Sequence, residues 1–160
     1  MNNIRYPVLL MMAILLAAAW PAFTQDARAD KKLVVIVHPD NPVTQISRVE
    51  LEKIFMGKRG FWEWGKPIRT ADLIEQENKE EDSSRAIFAT EFLGKNLAIL
   101  KSYWIRAIFS GKGQPPLVFG KTEDVVKFVE DNVGAIAYIR RKDMEPARVK
   151  ALAIIEHAEN

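Results

Sequence analysis

The chain is organised around the sequence IRTADLIEQENKEEDSSRAIFATEFL, residues 68–93. Its first part, Ile68–Ile74, is a short extended run that predicts a strand. A charged loop follows over Glu75–Glu81. The segment Asp82–Phe88 then begins a helix, because small hydroxyl and acidic side chains can accept from the unpaired N–H groups of a first turn. A helix that starts at the carboxyl edge of a strand is where α/β proteins usually bind anions, so the same stretch contains the candidate site.

The first 29 residues have the pattern of a secretory signal peptide. Arg5 supplies a positive start, Val8–Ala19 is an uninterrupted apolar run, and Ala27–Ala29 has the small-x-small form of a cleavage site. The run is shorter than the ~20 residues that a membrane-spanning helix needs. The alternative is an uncleaved anchor that ends near Trp20. We expect cleavage, which predicts a signal peptide at 1–29, a mature domain at 30–160 and a periplasmic or secreted location.

Composition argues against several classes of function. The chain has no cysteine, so it forms neither disulfide bonds nor a lipid-modified N-terminal cysteine. Its formal net charge is only +2, and no basic stripe with interleaved aromatics predicts a nucleic-acid partner. His38 and His157 lie far apart without ligand spacing, so we expect no metal and no cofactor. No set of Ser, His and Asp suggests covalent catalysis, and we expect that the protein is not an enzyme.

Strand and helix signals alternate along the rest of the chain. Leu33–Val37 predicts a strand buried on both faces. Ser47–Glu50 is a capping box for a helix that ends at Gly57. Gly134–Ile139 and Val149–Ile155 predict two further strands. The expected fold is therefore an α/β domain with a mixed, mostly parallel sheet flanked by helices.

The segment from Leu97 to Ser110 is the most apolar of the predicted helices. We expect this helix to contribute more to the hydrophobic core than any other helix, since its apolar positions recur at helical spacing. The stripe consists of Leu97, Leu100, Trp104 and Ile108, with Ile105 and Phe109 beside it.

The loop from Lys58 to Pro67 carries three aromatic residues, Phe61, Trp62 and Trp64. Two interpretations of this aromatic loop are open. The rings fold under the loop and cover the edge of the core, as large apolar side chains tend to do, or they wall a ligand cleft.

Several segments, taken together and in this order, resemble the substrate-binding proteins of phosphate ABC transporters. The segments are 34–42, 51–57, 62–67, 83–88, 104–116 and 133–139, and they cover nearly the whole mature chain. The Ile-Phe-x-Gly step at 54–57, the Trp loop at 62–67 and the Gly-Ala-Ile-x-Tyr strand at 134–138 are fairly specific as a set in this order, whereas each alone is a weak signal. Proteins of that family have two lobes around a cleft and are about twice as long. The resemblance therefore implies a single lobe of a type II periplasmic-binding-protein fold.

The same resemblance implies an anion site. The family has an Arg, and four residues later the sequence Ser-Gly-Thr-Arg-x-x-Phe at a helix start. Here Arg85–Phe88 matches the last part, Asp82–Ser84 stands at the Ser-Gly-Thr positions, and Asn78 stands at the leading Arg. Asp82 adds a carboxylate, and Asn78 lacks the guanidinium that grips phosphate through two hydrogen bonds. The candidates for binding a small anion such as phosphate are Ser83, Ser84 and Arg85.

Each candidate also has a structural interpretation, so two functions stay open. Ser83 and Ser84 are simple helix-start residues in that interpretation, and Arg85 pairs with Glu77 or Glu81. The first function is a periplasmic solute-binding-like protein that resembles the phosphate-transport proteins and works with an ABC transporter permease. The alternative is a non-enzymatic interaction module of the cell envelope that has lost the anion site and binds an envelope protein.

Overall fold

The computed structural model of the protein describes residues 32–74, 83–111 and 113–156. Strands and helices alternate through these residues, which confirms the predicted α/β class. In chain order the elements are β1 (Leu33–Val37), β2 (Gln45–Ser47), α1 (Arg48–Phe55), β3 (Arg69–Leu73), α2 (Ser84–Glu91), α3 (Leu97–Phe109), β4 (Leu117–Phe119), α4 (Thr122–Glu130), β5 (Ala135–Arg140), a 3-10 turn (Arg141–Asp143), β6 (Lys150–Ala151) and β7 (Ala153–Ile155).

A mixed five-stranded sheet in the order β4-β3-β5-β1-β6 organises the described residues. Strand β3 is parallel to β4 and β5, whereas β1 is antiparallel to β5 and β6. Strands β2 and β7 form a separate parallel pair. The prediction of one strand over Val149–Ile155 is wrong, because the chain changes partners at Leu152. The Leu152 N–H donates to the Val35 carbonyl, and the next N–H donates to the Thr44 carbonyl.

Strand β5 is the centre of the core. All six of its residues are buried, and four of the five residues of β1 beside it are buried as well. Helix α4 covers the sheet with Val125, Val126 and Val129. Because a polar side chain in such a place costs free energy unless it is hydrogen-bonded, Tyr138 on β5 and Asp72 on β3 stand out among the apolar residues.

Helix α1 begins and ends where the sequence predicts. The Ser47 Oγ accepts a hydrogen bond from the Glu50 N–H at 3.1 Å. Ile46 and Leu51 are both buried around this cap, as a hydrophobic staple requires. The helix ends at Phe55, and Gly57 adopts a φ of 67°, which a glycine reaches without steric cost. The capping box and the stop signal are therefore confirmed.

The prediction that the helix beginning at Leu97 contributes most to the hydrophobic core is wrong. Only part of α3 faces inward, through buried Leu100 and Trp104. Helical spacing tells which residues share a face, but it does not tell which face is covered by other elements. No helix within the described ranges is long and apolar enough to cross a membrane. The exposed apolar side chains of α3 are Ile99, Ile105, Ile108 and Phe109.

Candidate functional site

A buried ion pair joins β3 to the first turn of α2. The Arg85 Nε lies 2.9 Å from the Asp72 Oδ2, and the two side chains are only 19% and 7% exposed. The Tyr138 hydroxyl donates a hydrogen bond to the other oxygen of the same carboxylate. Asp72 is therefore held by a guanidinium and a phenol at the point where β3, α2 and β5 meet.

Burial dominates the electrostatics of this pair. Burial raises the pKa of Asp72, although the Arg85 charge and the Tyr138 hydroxyl counteract the shift by stabilising the ionised carboxylate. Burial, followed by the negative charge of Asp72, raises the pKa of Tyr138 well above its ordinary value. Tyr138 therefore stays protonated and able to donate at any physiological pH.

Aromatic rings enclose the ion pair. The ring of Phe88 stacks on Tyr138 with 3.9 Å between centroids and an interplanar angle of 7°. Phe55 lies beside this stacked pair, with its centroid 4.7 Å from that of Phe88 and 6.0 Å from that of Tyr138. The cavity that these residues line together with Asp72 and Arg85 has a volume of about 10 Å³. Such a volume accommodates about one water molecule, so a tetrahedral anion does not fit beside Arg85 in this arrangement.

The three candidate residues from the sequence analysis lie together at the start of α2. The Ser83 Oγ accepts a hydrogen bond from the Ala86 N–H at 3.2 Å and caps the helix. Ser83 and Ser84 are both buried. Whether Ser83, Ser84 and Arg85 bind an anion stays a prediction. Four other positions that entered the sequence analysis lie outside the described residues, namely Glu77, Asn78, Glu81 and Asp82.

Sequence reasoning missed Asp72 as a partner of Arg85 and missed Tyr138 as a donor to that carboxylate. It expected Glu77 or Glu81 instead, because those residues are close to Arg85 along the chain. A signal was present, since Asp72 lies between Ala71 and Leu73 in a predicted strand. A carboxylate in an apolar strand needs a cation or a donor, but the sequence does not show which one reaches it.

The aromatic loop mainly follows the packing interpretation. Trp62 is buried, and its Nε1–H donates to the Gly134 carbonyl at 3.0 Å. Trp64 is half-buried and lines a broad surface groove with Trp62 and β2, whereas Phe61 is 64% exposed. The loop is therefore fixed to the sheet, and the rings of Trp62 and Trp64 also line the groove. No cluster of three or more metal-ligating side chains occurs in the part of the chain that the structure describes.

Comparison with known proteins identifies the fold. No protein-family model and no curated protein sequence matches this chain. An ABC-type phosphate transport receptor from Vibrio cholerae matches with a TM-score of 0.55 and 20% identity, over 76% of this chain and 45% of its own. A Clostridium perfringens structure with bound phosphate, assigned to the phosphate ABC transporter substrate-binding proteins, matches with a TM-score of 0.54 and 21% identity. The match covers 76% of this chain and 44% of that structure. The PstS protein from Borrelia burgdorferi matches with a TM-score of 0.53 and 15% identity, over 80% of this chain and 49% of its own.

These likenesses establish a periplasmic-binding-protein fold of the kind found in phosphate-transport receptors. The chain spans less than half the length of each of these structures, which fits a single lobe. The resemblance and the fold class that the sequence predicted are confirmed at this level. The neighbours are transport binding proteins. At such low sequence identities, the similarity shows only that the fold is shared.

Proposed function

We propose that this chain is a non-enzymatic, single-lobe binding protein of the cell envelope in which the anion site is closed by the protein's own carboxylate. The pair between Asp72 and Arg85 carries the proposal. Arg85 is the cation that would attract an anion to the start of α2, and its charge is already balanced at 2.9 Å. In the cell envelope the protein then serves as an interaction module that binds another component of the envelope and does not carry phosphate.

The balance of forces at this helix start favours weak binding of anions. The positive end of the helix dipole, two hydroxyls and Arg85 attract an anion. Buried Asp72 opposes it, as do Asp82 and the glutamates that precede it in sequence.

We expect phosphate to bind the purified protein with a dissociation constant of about 0.1 mM or weaker, equivalent to roughly −5.5 kcal/mol or less favourable. Isothermal titration calorimetry with phosphate measures it, and sulfate serves as the control for a non-specific anion effect. A micromolar dissociation constant for phosphate would overturn the closed-site proposal.

Replacing Asp72 tests the cause of the weak binding. Asp72→Asn removes the charge that holds Arg85 in the small cavity, so the guanidinium can turn toward the start of α2 and we expect phosphate to bind about tenfold more tightly. Asp131→Asn is the matched control, because Asp131 pairs with Lys127 at 3.0 Å on the exposed surface of the domain. Equal affinities in Asp72→Asn and Asp131→Asn would mean that the helix start is not an anion site at all.

A phosphate receptor is the second candidate function. It is favoured by the grouping of Ser83, Ser84 and Arg85 at one helix start, and by the Clostridium perfringens neighbour with bound phosphate. In this case the partner is an ABC transporter permease. Tight phosphate binding by the unaltered protein would select this candidate over the closed-site proposal.

The envelope location rests on the N-terminal sequence. We expect the protein recovered from the cell envelope to begin at Asp30, because Arg5, the short apolar run and Ala27–Ala29 fit processing by a signal peptidase. Mass spectrometry of the intact protein gives its mass, which shows whether residues 1–29 have been removed. Detection of a membrane-bound form that retains residues 1–29 would contradict cleavage and support the anchor alternative.

A further inference from the structure

The longest acid-free segment of the domain contains α3 and β4. From Phe92 to Thr122 the chain has no Asp or Glu, although the whole chain carries 21 acidic residues. The segment has five basic residues, at positions 95, 101, 106, 112 and 121. Charge is therefore segregated along the sequence. Lys95 pairs with Glu52 on α1 at 2.7 Å, and the remaining positive charge would attract an anionic partner.

The same segment exposes apolar side chains. Phe109, at the end of α3, is 88% exposed, and Ile105 is 55% exposed. Ala98, Ser102, Ile105 and Phe109 follow helical spacing and lie along one outward line of the helix, opposite buried Leu100. Leu117 and Val118 on the edge strand β4 are also about half exposed. Exposed apolar side chains that group on a protein surface often mark an interaction site.

Cations flank this outward line of α3. The exposed residues Lys101 and Arg106 project on opposite sides of the line through Ile105 and Phe109, as helical geometry requires. An apolar centre between two cationic edges is the arrangement with which a helix rests on an anionic lipid surface. Long basic side chains reach the headgroups while the apolar residues enter the acyl boundary.

We propose that the outer face of α3 binds the surface of an anionic lipid bilayer. The proposal specifies the partner for the envelope role proposed above. A second copy of the chain fits the charges less well, since a twofold contact through this face would bring Lys101 and Arg106 toward like charges. The contact is peripheral, with Ile105 and Phe109 entering the lipid and the two cations at the headgroups.

Vesicle co-sedimentation tests the proposal with the protein recovered from the cell envelope. We expect binding to phosphatidylglycerol vesicles, little binding to phosphatidylcholine vesicles, and a loss of binding as salt shortens the reach of the charges. The double variant Ile105→Ser with Phe109→Ser should reduce partitioning by at least about tenfold, and Arg106→Glu should reduce it severalfold. Val49→Ser is the matched control, since Val49 lies on α1 and is 55% exposed, as Ile105 is.

Three results would overturn the proposal. One is the absence of binding to phosphatidylglycerol, the second is equal binding to both lipids, and the third is equal binding by the double variant and by Val49→Ser. The third result would assign the binding to another part of the chain, including any retained residues 1–29. A dimer in light scattering that disappears in the double variant would assign the face to a second copy. Because phosphate calorimetry is a separate measurement, failure here does not affect the closed-site proposal.

Discussion

Trp104→Ala is expected to lower the free energy of unfolding by about 3–5 kcal/mol, as is usual when a buried tryptophan is truncated. Trp104 is 6% exposed and lies edge-on against Tyr103, with 5.1 Å between ring centroids. The ring also passes close to two glycine turns. A Cβ at Gly57 would lie 3.1 Å from it and one at Gly113 would lie 3.4 Å from it. Truncation to alanine removes these contacts and leaves a cavity between α3 and the two glycines.

Urea unfolding monitored by circular dichroism measures this loss. Ile108→Ala is the matched control, because Ile108 is one turn further along the same helix and is 55% exposed. We expect this control to cost less than about 1 kcal/mol. A cost that small for Trp104→Ala would show that the inner face of α3 contributes little to the core.

Arg85→Ala is expected to cost about 3–5 kcal/mol, because it leaves the buried Asp72 carboxylate without its cation. The double variant Arg85→Ala with Asp72→Asn should recover much of that loss, since an uncharged amide still accepts from the Tyr138 hydroxyl. A double-mutant cycle from urea unfolding isolates the coupling between the two side chains. Additive single losses would mean that the pair contributes nothing beyond the separate packing of each side chain.

The same pair predicts a pH dependence. Burial raises the pKa of Asp72 in the folded protein. A carboxyl group whose folded pKa is raised binds more protons when folded, so its contribution to stability is fully present below its unfolded pKa and is lost as pH rises through the folded value. Without the positive charge of Arg85, the ionised form of the buried Asp72 carboxyl is less stable in the folded protein. The loss in Arg85→Ala should therefore be smaller near pH 4 than near pH 7, and equal losses at both values would contradict this assignment.

Local chemistry was predictable from the sequence where neighbouring residues determine it. The Ser47 cap, the stop at Gly57 and the buried strand up to Ile139 depend on short-range geometry and on unbroken apolar runs. The start of α2 at Ser84 follows from Ser83 in the same way. These features need no knowledge of the rest of the chain.

Features that depend on distant residues were not predictable. The Asp72 carboxylate is held by Arg85 and Tyr138, and the latter lies far along the chain on another strand. The outer side of α3 is as apolar as a core helix, yet no described element covers Ile105 or Phe109. The sequence therefore predicted the helix start that carries the candidate residues, but it could not show that the Asp72 carboxylate pairs with Arg85 there.

The order of strands in the sheet also affects when the domain can fold. Strand β1 is made first, yet Leu33 lies opposite Arg140 and Ile36 lies opposite Ala151. The first strand to leave the ribosome therefore obtains its neighbours last, and contacts between such distant residues slow folding. Until the C-terminal strands are available, the most apolar strand has nothing to pair with. Late closure suits the export that we propose, since an open chain passes through a narrow translocation channel more readily than a finished sheet does.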